Sequence, residues 1–145
     1  MHADTPRQMR AGDRLSPGEI LQDRYRVERE LGRGRLGLAY LAREVAGGQA
    51  VVLKVFRRAL AGDPEFAAAL SRRAAALGAL GGQEGRLVRV QECLRAQGER
   101  LVLVTEHVSG TSLRAVLEGG GRLAMARVLR LSAEIAAALQ ALHEH

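Results

Sequence analysis

Leu31-Gly32-Arg33-Gly34-Arg35-Leu36-Gly37-Leu38-Ala39-Tyr40-Leu41-Ala42, and after it Val51-Val52-Leu53-Lys54-Val55-Phe56, decide how this chain is read. Before the glycines, Tyr25 to Leu31 alternates polar and apolar residues as a half-exposed strand does. Leu38 to Arg43 can return as a second strand, Gly47-Gly48 is a hairpin signal, and Val51 to Phe56 reads as a buried third strand. The order is strand, glycine turn, strand, turn, strand.

Lys54 is the only lysine among 22 Lys and Arg residues. An ammonium on a flexible stem meets phosphate oxygens as a point charge, whereas a guanidinium is a planar fork that needs different surroundings. By itself the choice of lysine could be drift in an Arg-biased composition, so its surroundings carry the argument.

Downstream, Asp63-Pro64-Glu65 is a helix start, with Asp as cap, Pro at the first helical position and Glu at the positive end of the dipole. Gly81-Gly82 ends that helix. Phe66, Leu70, Leu77 and Leu80 fall within about 80° of one another on a helical wheel, and Arg73 sits in the middle of their stripe. Leu87 to Val90 and Leu101 to Val104 read as fourth and fifth strands. Thr111 or Ser112 can cap a short helix through Leu117, and a long helix follows from about Ala124, striped by Met125, Val128, Leu131, Ile135, Leu139 and Leu142. The expected fold class is α+β, with a five-stranded antiparallel sheet, one packed helix and two further helices. Residues 1–20 read as a mobile arm.

Composition removes several functions. The net charge of +6 allows attraction to nucleic acid or anionic lipid, but the arginines are scattered. Tyr25, Tyr40, Phe56 and Phe66 are the only aromatics, too few for a base-stacking platform. The single cysteine, Cys93, has no internal disulfide partner, and no signal peptide or transmembrane run is present. A cytoplasmic chain without nucleic-acid or membrane partners is expected. His143 and His145 fall on different sides of a helix, so they do not read as metal ligands.

Gly-x-Gly-x-x-Gly serves both dinucleotide folds and kinases. A dinucleotide fold needs a buried strand before the glycines, a helix after them and an acidic residue about 20 positions on. Here the preceding strand is rich in Arg and Glu, and Phe56, Arg57 and Arg58 occupy the distant position. The glycine stretch instead resembles the glycine-rich loop of protein kinases of the bacterial Ser/Thr type, and Val51-Val52-Leu53-Lys54 resembles that family's Val-Ala-Ile-Lys strand. Leu101 to Val108 resembles the fifth strand and hinge, and Ser109-Gly110-Thr111-Ser112-Leu113 the turn into the next helix, so the likeness runs from about Leu21 to His145.

The resemblance implies a kinase small lobe over 21–108, followed over 109–145 by two helices of a truncated large lobe, with ATP as ligand and magnesium entering only with the nucleotide. Backbone amides of Gly32, Gly34 and Gly37 would cover the phosphates and Lys54 would reach them. Adenine would lie against Leu31, Ala39 and Val52, with Thr105 behind it and backbone groups of Glu106 and Val108 at the hinge. Ala39 and Val52 exchange the usual Val and Ala, which leaves the total volume unchanged. The larger departure is Arg73, at the position where the family carries the lysine's glutamate partner. The chain has no asparagine, and no aspartate after Asp63, so general-base and magnesium ligands are missing. No catalytic residue is therefore assigned. The expectation is a lobe that binds ATP weakly or not at all and does not transfer phosphate alone, either a gene fragment, a pseudogene or a pseudokinase. The alternative is a non-catalytic interaction module that docks or self-associates through the helix at 124–145.

Overall fold

The computed structural model describes residues 14–80 and 85–143. Six strands form one antiparallel sheet: β1 (Ile20–Leu21), β2 (Tyr25–Arg33), β3 (Gly37–Glu44), β4 (Ala50–Phe56), β5 (Val90–Ala96) and β6 (Arg100–Glu106), in the order β1-β2-β3-β4-β6-β5. Among the described residues four helices accompany it: α1 (Arg58–Ala61), α2 (Pro64–Leu80), α3 (Leu113–Glu118) and α4 (Met125–His143).

Alternation along the strands sorts side chains onto two faces. Leu38, Tyr40 and Ala42 of β3, Val51, Leu53 and Val55 of β4, and Val102 and Val104 of β6 bury together on one face. With Tyr25, Val27, Leu94 and Ala96 they make an almost wholly aliphatic core, each large member worth roughly 1.5–3 kcal/mol of burial. The opposite face is covered only in part. Phe56 and Leu101 pack there against Ala61 of α1 and Ala67 of α2, with Leu60, Phe66, Leu70, Cys93 and Leu103 around them. Phe56 and Phe66 meet edge to face at 5.4 Å between centroids.

The two ends of the strand order come together, which curls the sheet around its core. The Tyr25 hydroxyl, from β2, donates to Glu92 of β5, and Arg24 pairs with the same carboxylate at 2.8 Å. Nearby, Gln22 donates to the carbonyl of Arg95, and Glu19 accepts from Arg100 of β6 at 2.6 Å. Burial first, then the hydrogen bond to Glu92 and its charge, hold the Tyr25 phenol well above its ordinary value.

Several expectations need correction. The sheet has six strands, because Ile20–Leu21 adds a short edge beside Tyr25 and Arg26. Of the arm expected over 1–20, residues 1–13 lie outside the described residues, while Leu15 is 5% exposed in the core and its N–H donates to the Tyr40 hydroxyl at 3.2 Å. The fourth strand expected at Leu87 to Val90 begins only at Val90 and runs to Ala96. Its polar run Gln91-Glu92 hid it, and Glu92 is polar for the closure just described. The short helix α1 was not foreseen. The Gly81-Gly82 stop lies outside the described residues.

Capping follows the sequence more closely. Asp63 Oδ1 accepts from the N–H groups of Glu65 (2.9 Å) and Phe66 (3.3 Å) at the start of α2, and Ser112, not Thr111, caps α3 by accepting from Ala115 at 3.2 Å. Strand β2 carries two bulges, one between Val27 and Arg29 and one between Glu30 and Gly32. Among the described residues no helix is long and apolar enough to cross a membrane.

Tyr25→Phe is expected to lower stability by about 1–3 kcal/mol in urea unfolding, the range for losing a hydrogen bond to a charged group. Because the folded pKa lies above the ordinary 10.0, Tyr25 contributes fully below that pH and loses its contribution as pH rises through the folded value. The Phe variant should therefore show a shallower alkaline loss, the remainder belonging to Tyr40, whose phenol burial also pushes up.

Candidate functional site

Register brings half of the ten sequence-predicted residues together on one side of the sheet. Opposed residues in an antiparallel pair share a face. Gly32 faces Ala39, Ala39 faces Lys54, and Lys54 faces Leu103, which gives one row across four strands. The next row is Arg29, Leu41, Val52 and Thr105. Gly32, Ala39, Val52, Lys54 and Thr105 thus occupy one side of the sheet, beyond the end that α1 and α2 cover. Thr105 is 3% exposed, Ala39 and Val52 are half-buried, and Lys54 is exposed. Leu31, the unpaired residue of the second bulge, is 39% exposed.

The glycine turn joins β2 to β3. Gly34 donates to the carbonyl of Gly37 at 2.9 Å, which closes the turn. Gly37 is required by the fold itself, since a Cβ there would stand 1.9 Å from the Val55 carbonyl oxygen. Gly32 and Gly34 are different: a Cβ on either would meet nothing within 4 Å, and neither has positive φ. Nothing within the chain demands glycine at those two positions. Arg33 of β2 donates to Glu30 at 2.7 Å, and that hydrogen bond first of all holds the Glu30 carboxyl below its ordinary value. Arg35, at the tip, is exposed and makes no ion pair among the described residues.

At the other end of the site, Glu106 and Arg89 bind each other twice. The Glu106 N–H donates to the Arg89 carbonyl at 3.0 Å, and the Arg89 N–H donates to the Glu106 carboxylate at 2.8 Å. The Glu106 carbonyl accepts from the Thr105 hydroxyl at 3.3 Å. Val108 is exposed, and its N–H makes no hydrogen bond among the described residues.

Arg73 does not occupy the packed centre of α2. Ala67 and Ala74 are the buried residues, Leu70 and Leu77 are half-buried, and Arg73 is exposed beside them. The stripe drawn through the larger residues overlooked the alanines, which let α2 approach β5 most closely; a Cβ on Gly78 would stand 3.0 Å from the Val90 carbonyl oxygen. Lys54 forms no ion pair among the described residues, and no cluster of His, Cys, Asp and Glu there could hold a metal. Sequence reasoning also missed Arg57, whose N–H and guanidinium both reach the glycine turn. The signal available was its position, immediately after β4.

A curled antiparallel sheet with a glycine hairpin at one end, a lysine on its open face and one helix packed behind defines the small lobe of a kinase-type domain. Residues 25–145 match the protein kinase domain, and the chain belongs to the protein kinase family. It is 32% identical over 119 residues to the serine/threonine-protein kinase PknE of Mycobacterium tuberculosis, covering 82% of this chain and 20% of that protein. It is 32% identical over 134 residues to PknB of Mycolicibacterium smegmatis, covering 90% of this chain and 21% of that protein. A crystal structure of the M. tuberculosis PknI kinase domain superposes with a TM-score of 0.78 at 23% identity, covering 90% of this chain and 51% of that domain. The chain therefore spans about a fifth of those curated relatives and about half of that solved domain.

Gly37→Ala is expected to lower stability by about 1–3 kcal/mol, since backbone must move to admit the methyl group. Gly34→Ala should stay within about 0.5 kcal/mol of the parent in the same thermal or urea unfolding measurement.

Proposed function

We propose that residues 21–108 form a nucleotide-binding small lobe of a Ser/Thr protein kinase-like domain, with ATP as the ligand. The observation that carries this reading is the shared row of Gly32, Ala39 and Lys54 beside Val52 and Thr105 on the uncovered face. Adenine rests against Leu31, Ala39 and Val52, with Thr105 behind it. The Glu106 carbonyl and the unengaged Val108 N–H supply an acceptor and a donor at the hinge. Lys54 reaches the phosphates as a point charge, and the glycine turn covers them with backbone amides. The space beside Gly32 and Gly34 supports close approach of a ligand from outside the chain.

ATP itself would bring magnesium. Family activity would be phosphoryl transfer from ATP to protein Ser or Thr. These 145 residues contain no asparagine and no aspartate after Asp63, the side chains that usually hold the metal and accept the hydroxyl proton. We therefore assign binding, and not phosphoryl transfer, to this chain by itself. Residues 109–145 are, on this reading, the start of a second unit, the large lobe.

A second use is favoured by α4, which has no buried residue and exposes Met125, Leu129, Ile135 and Leu139. That apolar face is a site of association. Concentration-dependent mass in light scattering would support it, and a monomer throughout would count against it.

Titration of the protein with a fluorescent ATP analogue tests the main reading. Lys54→Met should weaken binding about ten- to a hundredfold, the equivalent of losing one charge-assisted hydrogen bond; equal affinity would reject the phosphate role. With labelled ATP, magnesium and acceptor protein, turnover should not exceed that of Lys54→Met.

A further inference from the structure

We infer that Arg57 is the positioning residue of the glycine turn, setting the direction of the backbone N–H groups that face phosphate. The inference rests on the nucleotide-binding reading above and goes further, to a residue outside the row of ligand-facing side chains. Strand β4 ends at Phe56, opposite Gly37. Arg57 follows with φ −58° and ψ 144°, before the chain turns into α1. In that extended geometry its N–H donates to the carbonyl of Leu36 at 2.9 Å, carrying the ladder one residue past the strand. Its guanidinium also donates to the carbonyl of Gly34 at 3.3 Å.

Two carbonyls of one short turn are thus held by one residue. In a trans peptide the carbonyl oxygen and the next N–H point in opposite directions from a rigid plane. Holding the Gly34 oxygen fixes the N–H of Arg35, and holding the Leu36 oxygen fixes that of Gly37. The Gly34 N–H is spent within the turn on Gly37. Arg35 and Gly37 are therefore the amides whose direction Arg57 determines. The sterically unopposed Gly34 gives this segment wide backbone freedom, so an external restraint is what selects one conformation.

The test compares the parent, Arg57→Ala and Arg57→Lys, the last keeping the charge without the planar fork. Amide hydrogen exchange at residues 35–37 without nucleotide should speed up at least about tenfold in Arg57→Ala, with core-strand amides unchanged. Unchanged exchange overturns the inference. Binding of the fluorescent ATP analogue should weaken at least about fivefold while adenosine affinity holds, because only phosphate needs the oriented amides. Equal weakening of both ligands would mark a general structural role and overturn the inference. Recovery of affinity in Arg57→Lys while exchange stays fast would make residue 57 a charge and not a positioner. If the parent binds adenosine and ATP no better than Lys54→Met does, the nucleotide reading itself fails. If the parent discriminates and Arg57→Ala matches it, the positioning role alone fails.

Discussion

The contact between the Tyr25 phenol and the Glu92 carboxylate joins β2, beside one edge of the sheet, to β5 at the other edge, and the remaining architecture depends on that closure. A flat six-stranded sheet would offer two equivalent faces. Curling it wraps Val27, Tyr40, Leu53 and Val104 inside, where they bury completely or almost so, and leaves the other face to be divided. Helices α1 and α2 take one half of that face at Phe56 and Leu101. The other half stays open around Lys54, and a kinase-type lobe needs both halves. The closure is polar where a hydrophobic contact might have served, and Arg24 adds a cation 5.0 Å above the Tyr25 ring centroid. Geometry is what a hydrogen bond adds here: it ends one strand at a defined place against another.

The local signals in the sequence were read where short-range physics decides them. Alternation gave β2, β3 and β4 nearly to their ends, Asp63 and Ser112 capped the helices, and the glycine turn fell between the strands it joins. Five of the positions picked out in the sequence, Gly32, Ala39, Val52, Lys54 and Thr105, share a face because the pleat period and the hairpin register leave little choice. What escaped was set by distant partners. Glu92 interrupts the apolar pattern of β5 for the sake of Tyr25, 67 residues away. Leu15 and Ile20 are held by β2 and Tyr40, so nothing near them in sequence announces their packing. The centre of α2 was misjudged because alanine carries a weak signal in a hydrophobicity pattern although it permits the closest packing. Arg57 was invisible because two carbonyl oxygens of the glycine turn are among its partners, and backbone carbonyls leave no mark in a sequence.

The site is unusually cationic for its size. Lys54 forms no ion pair among the described residues, Arg73 is exposed on α2, and Arg35 is at the tip of the turn. Glu30 pairs with both Arg33 and Arg14 beside them. Exposed cations in water interact with one another only modestly, so the fold tolerates them. Clustered cations of this kind favour encounter with anions over retention of any one geometry.

The two bulges of β2 move the strand along its neighbour by one full pleat. Extending the Tyr25–Glu44 pairing as a straight ladder would set Glu30 opposite Ala39, in the row that continues to Lys54. The inserted residues slide Glu30 out of that row and bring Gly32 in. A carboxylate is thereby exchanged for a hydrogen atom on the face where the lysine stands, and the displaced carboxylate is given to Arg33 and Arg14 instead. Two apparent irregularities in one strand decide the sign of the charge and the free volume above the sheet.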